Sequence, residues 1–153
     1  MITEWPPSER SRKDYCWWHE YSTRWGDNDI YGHVNNIIYY SMFDTVVNYF
    51  LIKNAEFDPI TSDCIGITPE TRCCYYKSIK YPEVVDVGIS IKKIGNSSIT
   101  YEIGVFKKDL DILCAIGHFV HVYVERNDQS KTAPIPKNIV DACKKFLVLK
   151  SLF

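Results

Sequence analysis

The segment 36–52 constrains the fold of this chain more than any other part of its sequence. Its apolar residues recur at spacings of three and four, a pattern that predicts an α-helix. One row at this spacing comprises Ile37, Tyr40, Phe43, Asp44, Val47 and Leu51, of which only Asp44 is not apolar, and its neighbour comprises Ile38, Met42, Val46 and Phe50. Because apolar residues cover so much of the circumference, we expect this helix to be largely buried. At ~1.5 Å per residue it would run roughly 25 Å.

Most of the remaining sequence predicts β-strands. The expected strands cover 16–25, 64–79, 84–94, 98–107 and 112–125, and a short helix is expected at about 137–149. Gly95-Asn96 predicts a hairpin turn between two of these strands. The order predicts an α+β fold in which one long helix is wrapped by a curved antiparallel sheet. We assign residues 1–14 to a loose N-terminal arm and 15–153 to a single domain.

Composition and charge exclude several classes of function. The formal net charge of −1 gives no nucleic-acid footprint. The N-terminus has no signal-peptide pattern, and no apolar run is long enough for a membrane span, so we expect a soluble cytoplasmic protein.

None of the six cysteines forms a CxxC pair, which favours reduced, mostly buried thiols and no metal site. We expect His118, which shares a strand face with Ile116 and Val120, to be a core histidine.

The segment 25–36 carries the strongest chemical signal. It places Asp27, Asp29, Gly32 and His33 directly before Asn35-Asn36, where the long helix is expected to begin. The start of a helix exposes free backbone N–H groups at the positive end of the helix dipole. Such a position can stabilise negative charge on a reacting oxygen, while an upstream carboxylate acts on the same bound group. The pattern therefore indicates an acyl-transfer or hydrolysis site.

The string Asp27-Asn28-Asp29-Ile30-Tyr31-Gly32-His33-Val34-Asn35-Asn36 resembles the signature of the hotdog-fold acyl-CoA thioesterases, in the 4-hydroxybenzoyl-CoA thioesterase-like branch. The resemblance covers about 21–147. It implies a hotdog fold and homodimers whose sheets join edge to edge, often paired again into tetramers. It also implies active sites at the dimer interface, an acyl-CoA substrate and no cofactor. A dimer is expected on physical grounds too, since an apolar edge strand must be covered.

The resemblance assigns catalytic roles to two residues. It matches Asp29 to the catalytic carboxylate and the backbone N–H of Asn36 to the group that polarises the thioester carbonyl. Asp29 would act as a nucleophile or as a general base toward water, and the sequence leaves both routes open. The alternative is that Asp29 only satisfies N–H groups of its own loop.

The other motif residues have supporting roles in this interpretation. His33 would orient the loop, touch the substrate or act as an acid or base, and Gly32 would take a backbone shape unsuited to a side chain. Asn35 or Asn36 would cap the helix, and we include Gly32, Asn35 and Tyr39 among the substrate-binding candidates. Asp27 is expected to be structural, through loop N–H groups or Arg24.

Two other functions remain open at this point. One is a hotdog acyl-CoA hydratase or dehydratase, and the other is an acyl-CoA-binding protein without activity. The apolar helix suits a fatty or aromatic acyl group. The choice between coenzyme A and acyl-carrier protein stays open. Cationic candidates for the coenzyme A phosphates are Arg72, Lys77, Lys80, Lys92 and Lys93, and a solvated strand face explains them equally well.

Overall fold

The computed structural model describes residues 5–7 and 9–147. Its regular elements, in chain order, are β1 (Trp17–Ser22), α1 (Asn36–Ala55), β2 (Cys64–Tyr75), β3 (Val84–Ile94), β4 (Ser98–Lys107), β5 (Leu113–Glu125) and α2 (Lys137–Lys144). Short 3-10 turns precede β1 and α1. None of the helices in the described ranges has the length and hydropathy needed to cross a bilayer.

The predicted elements all occur, and their ends differ in places. The bounds of β3 and β4 are those predicted, and Gly95 N–H closes their hairpin on the Ser98 carbonyl at 2.8 Å. Strand β2 ends earlier than predicted, because the next two N–H groups both turn onto the Cys114 carbonyl. Helix α1 continues to Ala55 and stops where Glu56 adopts a left-handed conformation. Helix α2 ends at Lys144, and positions 148–149 of its predicted span lie outside the described residues.

The five strands form one antiparallel sheet in the order β1-β3-β4-β5-β2. Residues alternate between its two faces, so every second side chain of β3, β4 and β5 points toward α1. This inner face includes Val87, Ile103 and Phe119, which join the buried side chains of α1 in one core. The long helix against a curved antiparallel sheet confirms the predicted α+β hotdog fold.

Helix α1 lies close to the sheet at Gly117. A Cβ at this position would be 2.6 Å from the Phe43 ring, so only glycine admits that ring. The prediction that α1 is largely buried is right only for the side that faces the sheet, because eight of its twenty residues are buried. Ile37, Tyr49 and Ile52 face away and remain exposed on the single chain.

The N-terminal arm is not loose over residues 9–15, which we call the N-terminal strap. Arg10 Nε lies 2.6 Å from Glu102 Oε1, and Arg12 Nη1 lies 3.0 Å from Asp86 Oδ2. Both carboxylates are buried on the outer face of the sheet, opposite α1. The Tyr15 ring fills the space above Gly104, where a Cβ would be only 2.4 Å away. The expectation of a loose arm is therefore wrong for this segment, because buried ion pairs and ring packing hold it to the sheet.

His121 is the core histidine, and the prediction for His118 is wrong. His121 is 2% exposed, among Tyr101, Phe119 and Tyr123, and its Nδ1 has no hydrogen-bond partner in the described part of the chain. His118 is half-buried on the outer face, 3.4 Å from Glu70. The sequence pattern suggested His118 because the apolar Ile116 lies on the same strand face. That face is the outer one, where Ile116 is buried and lines a pocket beside the strap.

The six cysteines are free, as predicted, but they are not mostly buried. Only Cys114 and Cys143 are buried, and Cys16 is exposed. Among the described residues, no group of three or more His, Cys, Asp or Glu side chains is placed to hold a metal ion.

We expect the free energy of unfolding to decrease in mild acid because His121 is buried in its neutral form. Burial lowers the pKa of His121 to about 4, whereas the ordinary value is 6.5. The unfolded chain therefore binds a proton that the folded chain does not as pH falls from 6.5 to about 4, and up to about 3 kcal/mol of stability is lost across that window. Urea unfolding at several pH values should show a shallower loss for His121→Phe. An identical pH dependence in both proteins would contradict the assignment.

Candidate active site

The loop between β1 and α1 is held in place by a buried carboxylate. Asp27 is 1% exposed, and its side chain accepts hydrogen bonds from the backbone N–H and Nε of Arg24, at 2.8 and 3.2 Å. Its carbonyl accepts from Asn35 N–H at 2.8 Å, at the other end of the loop. The predicted structural role of Asp27 is confirmed. Val34 N–H donates to the Ile79 carbonyl at 2.7 Å, which ties the loop to the segment after β2.

Asp29 lies in a tight turn within this loop. Its N–H donates to the His33 carbonyl at 2.8 Å, and its carbonyl accepts from Gly32 N–H at 3.1 Å. Oδ1 accepts from Tyr31 N–H at 2.9 Å and lies 3.4 Å from His33 N. Oδ2 has no hydrogen-bond partner among residues 5–7 and 9–147. One oxygen of the carboxylate is thus fixed by the loop, and the other is available to a bound molecule.

Gly32 takes the left-handed backbone conformation that the turn requires. Its φ is +81°, and a Cβ added there would meet no other atom within 4 Å. The demand for glycine therefore comes from the backbone angle and not from crowding.

The start of α1 leaves one backbone donor free beside this turn. Asn35 caps the helix, because its side-chain oxygen accepts from Ile37 N–H at 3.1 Å. Asn36 is the first helical residue, and its N–H has no acceptor within the described ranges. The Tyr75 hydroxyl donates to the Asn36 carbonyl at 3.2 Å and so holds the end of β2 against the start of the helix.

A pocket of about 310 Å³ connects these elements. It is lined by Asp29, His33, Val34, Asn36, Tyr39, Tyr75, Tyr76, Lys77 and Ser78. Four of the predicted site residues therefore meet in one cavity, namely Asp29, His33, Asn36 and Tyr39. Gly32 and Asn35 do not line it. Gly32 supplies the left-handed backbone conformation of the turn, and Asn35 caps α1.

The sequence did not predict that the end of β2 forms one wall of this pocket. Segment 75–78 lies far from the motif along the chain, and only Lys77 was considered, as a phosphate contact. The one signal is the Tyr75-Tyr76 pair at the point where the strand pattern breaks.

The side chains around the pocket stay neutral where they are buried. Burial raises the pKa of Tyr39 well above its usual value, and the Tyr39 ring meets Tyr75 edge to face at 5.0 Å between centroids. Burial also raises the pKa of the nearby Cys73 thiol to about 12. A neutral thiol is a poor nucleophile, and Cys73 does not line the pocket.

Comparison with known proteins identifies the family. Residues 23–143 match the model of the thioesterase-like superfamily. The chain belongs to this superfamily and is a thioester hydrolase, as the resemblance implied. A search among curated proteins finds no match.

Solved structures give the same fold. The PA5185 protein of Pseudomonas aeruginosa strain PAO1 is 39% identical, with a TM-score of 0.87 over 90% of this chain and 95% of that one. A 1,4-dihydroxy-2-naphthoyl-CoA thioesterase from Synechocystis is 15% identical, with a TM-score of 0.75 over 83% of this chain and 94% of that one. A Staphylococcus aureus protein solved in complex with CoA is 14% identical, with a TM-score of 0.76 over 84% and 82% of the two chains.

Replacing Gly32 should disturb the turn that holds Asp29. We expect Gly32→Ala to lower the free energy of unfolding by about 1 kcal/mol, the cost of a left-handed non-glycine residue. Thioester hydrolysis should fall several-fold, because the N–H groups on either side of Gly32 fix Asp29 Oδ1. Chemical denaturation and a thiol-release assay measure the two effects.

Gly26→Ala is the matched control. Gly26 also has nothing within 4 Å of an added Cβ, and its backbone is not left-handed. If both alanine variants behave alike, the backbone conformation of Gly32 does not position Asp29.

Proposed function

We propose that this protein is an acyl-CoA thioesterase that hydrolyses a fatty or aromatic acyl-CoA to the free acid and coenzyme A. The observation that carries the proposal is that one pocket contains both Asp29 Oδ2 and the Asn36 N–H, neither of which has a hydrogen-bond partner among the residues that the structure describes. A thioester needs both groups, since its carbonyl carbon is attacked while its carbonyl oxygen gains negative charge.

The Asn36 N–H is the oxyanion donor in this proposal. The thioester oxygen would accept from it at the positive end of the α1 dipole, where developing negative charge is stabilised. The donor is a main-chain group, so the fold and not the side chain fixes its position.

Asp29 supplies the attacking group by one of two routes. In the first, Oδ2 bonds to the carbonyl carbon, the thiolate of coenzyme A leaves and takes up a proton, and water then hydrolyses the mixed anhydride. In the second, Oδ2 removes a proton from water, and the resulting hydroxide displaces the thiolate. The hydrogen bonds to Oδ1 support either route, because they hold the carboxylate still while Oδ2 reacts.

Part of the pocket wall supports an apolar acyl group, within a lining that is otherwise polar. Val34, Tyr39 and Tyr75 present apolar surface beside the proposed reaction centre. Among the similar structures, one protein is named for an aromatic acyl-CoA and another was solved with CoA, which agrees with this substrate class.

Asp29→Asn should abolish most of the activity while leaving the protein folded. An amide neither attacks the carbonyl carbon nor deprotonates water, and we expect kcat to fall by about 10³-fold or more. The measurement is release of free thiol from acyl-CoA substrates of increasing chain length, with circular dichroism to verify the fold. An active, folded Asp29→Asn variant would remove Asp29 from the mechanism.

Asn36→Ala is the companion variant. It keeps the main-chain N–H, so we expect only a modest loss, far below the ~10²–10³ typical for a lost oxyanion donor. A collapse of activity would mean that the Asn36 side chain takes part in the chemistry. The same assay separates other activities, because a hydratase would alter the acyl group without releasing thiol and a binder would do neither.

We further propose that two copies of the chain pair and cover the active-site loop. Ile30, Tyr31 and Ile37 surround the start of α1 and are 93%, 82% and 63% exposed. Apolar side chains grouped in this way favour association with another surface. The free edge strand β2 is less apolar than expected, because its middle carries Pro69 and an ion pair between Arg72 and Glu70. The apolar loop is therefore the stronger support for pairing.

Sedimentation should give at least twice the 17.8 kDa mass of the chain. Ile37→Glu places a charge in the proposed contact and should shift the protein toward monomer and lower activity. Ile60→Glu, at another highly exposed apolar residue away from the pocket, is the control. A wild-type monomer at micromolar concentration would contradict the pairing.

A further inference from the structure

The chain that leaves the end of β2 contacts both the active-site loop and the start of α1. The Ile79 carbonyl accepts from Val34 N–H at 2.7 Å and so holds the end of the loop. The Tyr75 hydroxyl donates to the Asn36 carbonyl at 3.2 Å. This second contact therefore acts on the residue whose N–H is the proposed oxyanion donor.

Asn36 lies at the surface, and core packing does not hold it. The side chains of Asn36 and Ile37, the first two residues of α1, are both exposed. Within residues 5–7 and 9–147, no hydrogen bond other than that from Tyr75 joins Asn36 to a second element of the fold. The position of the Asn36 N–H thus depends on the adjacent residues of the chain and on the Tyr75 hydroxyl.

The hydrogen bond from Tyr75 is additional to the bonding of the helix. In an α-helix each carbonyl accepts from the N–H four residues later, which for Asn36 is that of Tyr40. A carbonyl oxygen has two lone pairs and can accept both bonds. Loss of the hydroxyl would therefore leave the carbonyl with a partner. What would be lost is a restraint on the first turn, where helices fray most readily.

Tyr75 is itself held in place by its backbone and by its ring. It is the last residue of β2 and pairs with Ala115 of β5. Its ring meets the buried ring of Tyr39 edge to face. Partial burial raises the pKa of Tyr75 above its usual value, so the hydroxyl keeps its proton and remains a donor. The sheet therefore fixes this donor relative to the start of α1.

We propose that Tyr75 is a positioning residue for thioester hydrolysis, because its hydroxyl holds the first turn of α1 where the Asn36 N–H can donate to the thioester oxygen. Tyr75 acts through Asn36 in this role. Since negative charge develops on that oxygen only in the transition state, a displaced donor affects kcat more than substrate binding. The inference rests on the proposed acyl-CoA thioesterase activity and adds a residue to that same site.

Tyr75→Phe removes the hydroxyl and keeps the ring. We expect kcat to fall about tenfold, less than the ~10²–10³ for a lost oxyanion donor, because the N–H is displaced and not removed. KM should stay within about twofold of the wild-type value. The melting temperature should fall by no more than about 4 °C. Thiol release over a range of acyl-CoA concentrations and thermal unfolding measure these effects.

Tyr49→Phe is the matched control, because it makes the same change on the exposed side of α1, away from the pocket. Its kcat should equal that of the wild type. The proposal is overturned if Tyr75→Phe keeps its kcat, or raises KM alone, which would make Tyr75 a substrate contact. An equal loss in both variants would also overturn it. A change in both constants of Tyr75→Phe is decided by a second measurement.

That measurement is amide hydrogen exchange, which does not depend on activity. In Tyr75→Phe the N–H groups of Ile37, Ile38 and Tyr40 should exchange several-fold faster, while that of Val46 in the middle of α1 is unchanged. Unaltered exchange refutes the proposal, and so does equal acceleration throughout the helix. If the wild type releases no thiol from any acyl-CoA, the proposed function fails, whereas exchange still decides whether Tyr75 holds the start of α1.

Discussion

The packing of α1 against the inner face of the sheet is the contact on which the other features depend. Phe43 lies directly over Gly117, and each large apolar side chain buried in this way contributes about 1.5–3 kcal/mol. The contact fixes how far α1 stands from β5 and β2. It therefore fixes where the first turn of the helix meets the end of β2, and Tyr75 secures that meeting through the Asn36 carbonyl. Because the buried side chains of α1 fix the helix against the sheet, the backbone N–H of Asn36 is held at a constant position.

The candidate site combines rigid and free groups within a few residues of chain. Asp27 is buried and bonded to the loop, whereas Asp29 is bonded through Oδ1 and has no partner at Oδ2 in the described part of the chain. The two carboxylates differ only by their surroundings. The same division appears in the N-terminal strap, where Arg10 and Arg12 attach to buried acids while Lys13 remains exposed. In both segments, a buried ionic contact holds the backbone beside a charged group that has no ion pair within residues 5–7 and 9–147.

Much of the fold could be read from the sequence, because the relevant signals are local. The apolar rows of 36–52 and the alternation of β3 and β4 reflect the periods of helix and strand, and their bounds agree closely with the structure. The predictions failed where the burial of a residue depends on segments that are distant along the chain. Ile116 is buried on the outer face, so the pattern suggested His118 and not His121 as the core histidine. The attachment of the strap was missed because Glu102 and Asp86 lie far from it along the chain.

The sequence by itself determined the family, the turn around Gly32 and the order of Asp29 before the helix start, since each is a matter of neighbouring residues. Only the tertiary structure decided which groups share a cavity. Tyr75 and Lys77 reach the pocket because β2 pairs with β5 and ends beside α1. The pocket beside the strap exists because the strap lies across the sheet. Cavities form between segments that are remote in sequence, and no local pattern encodes the distance between them.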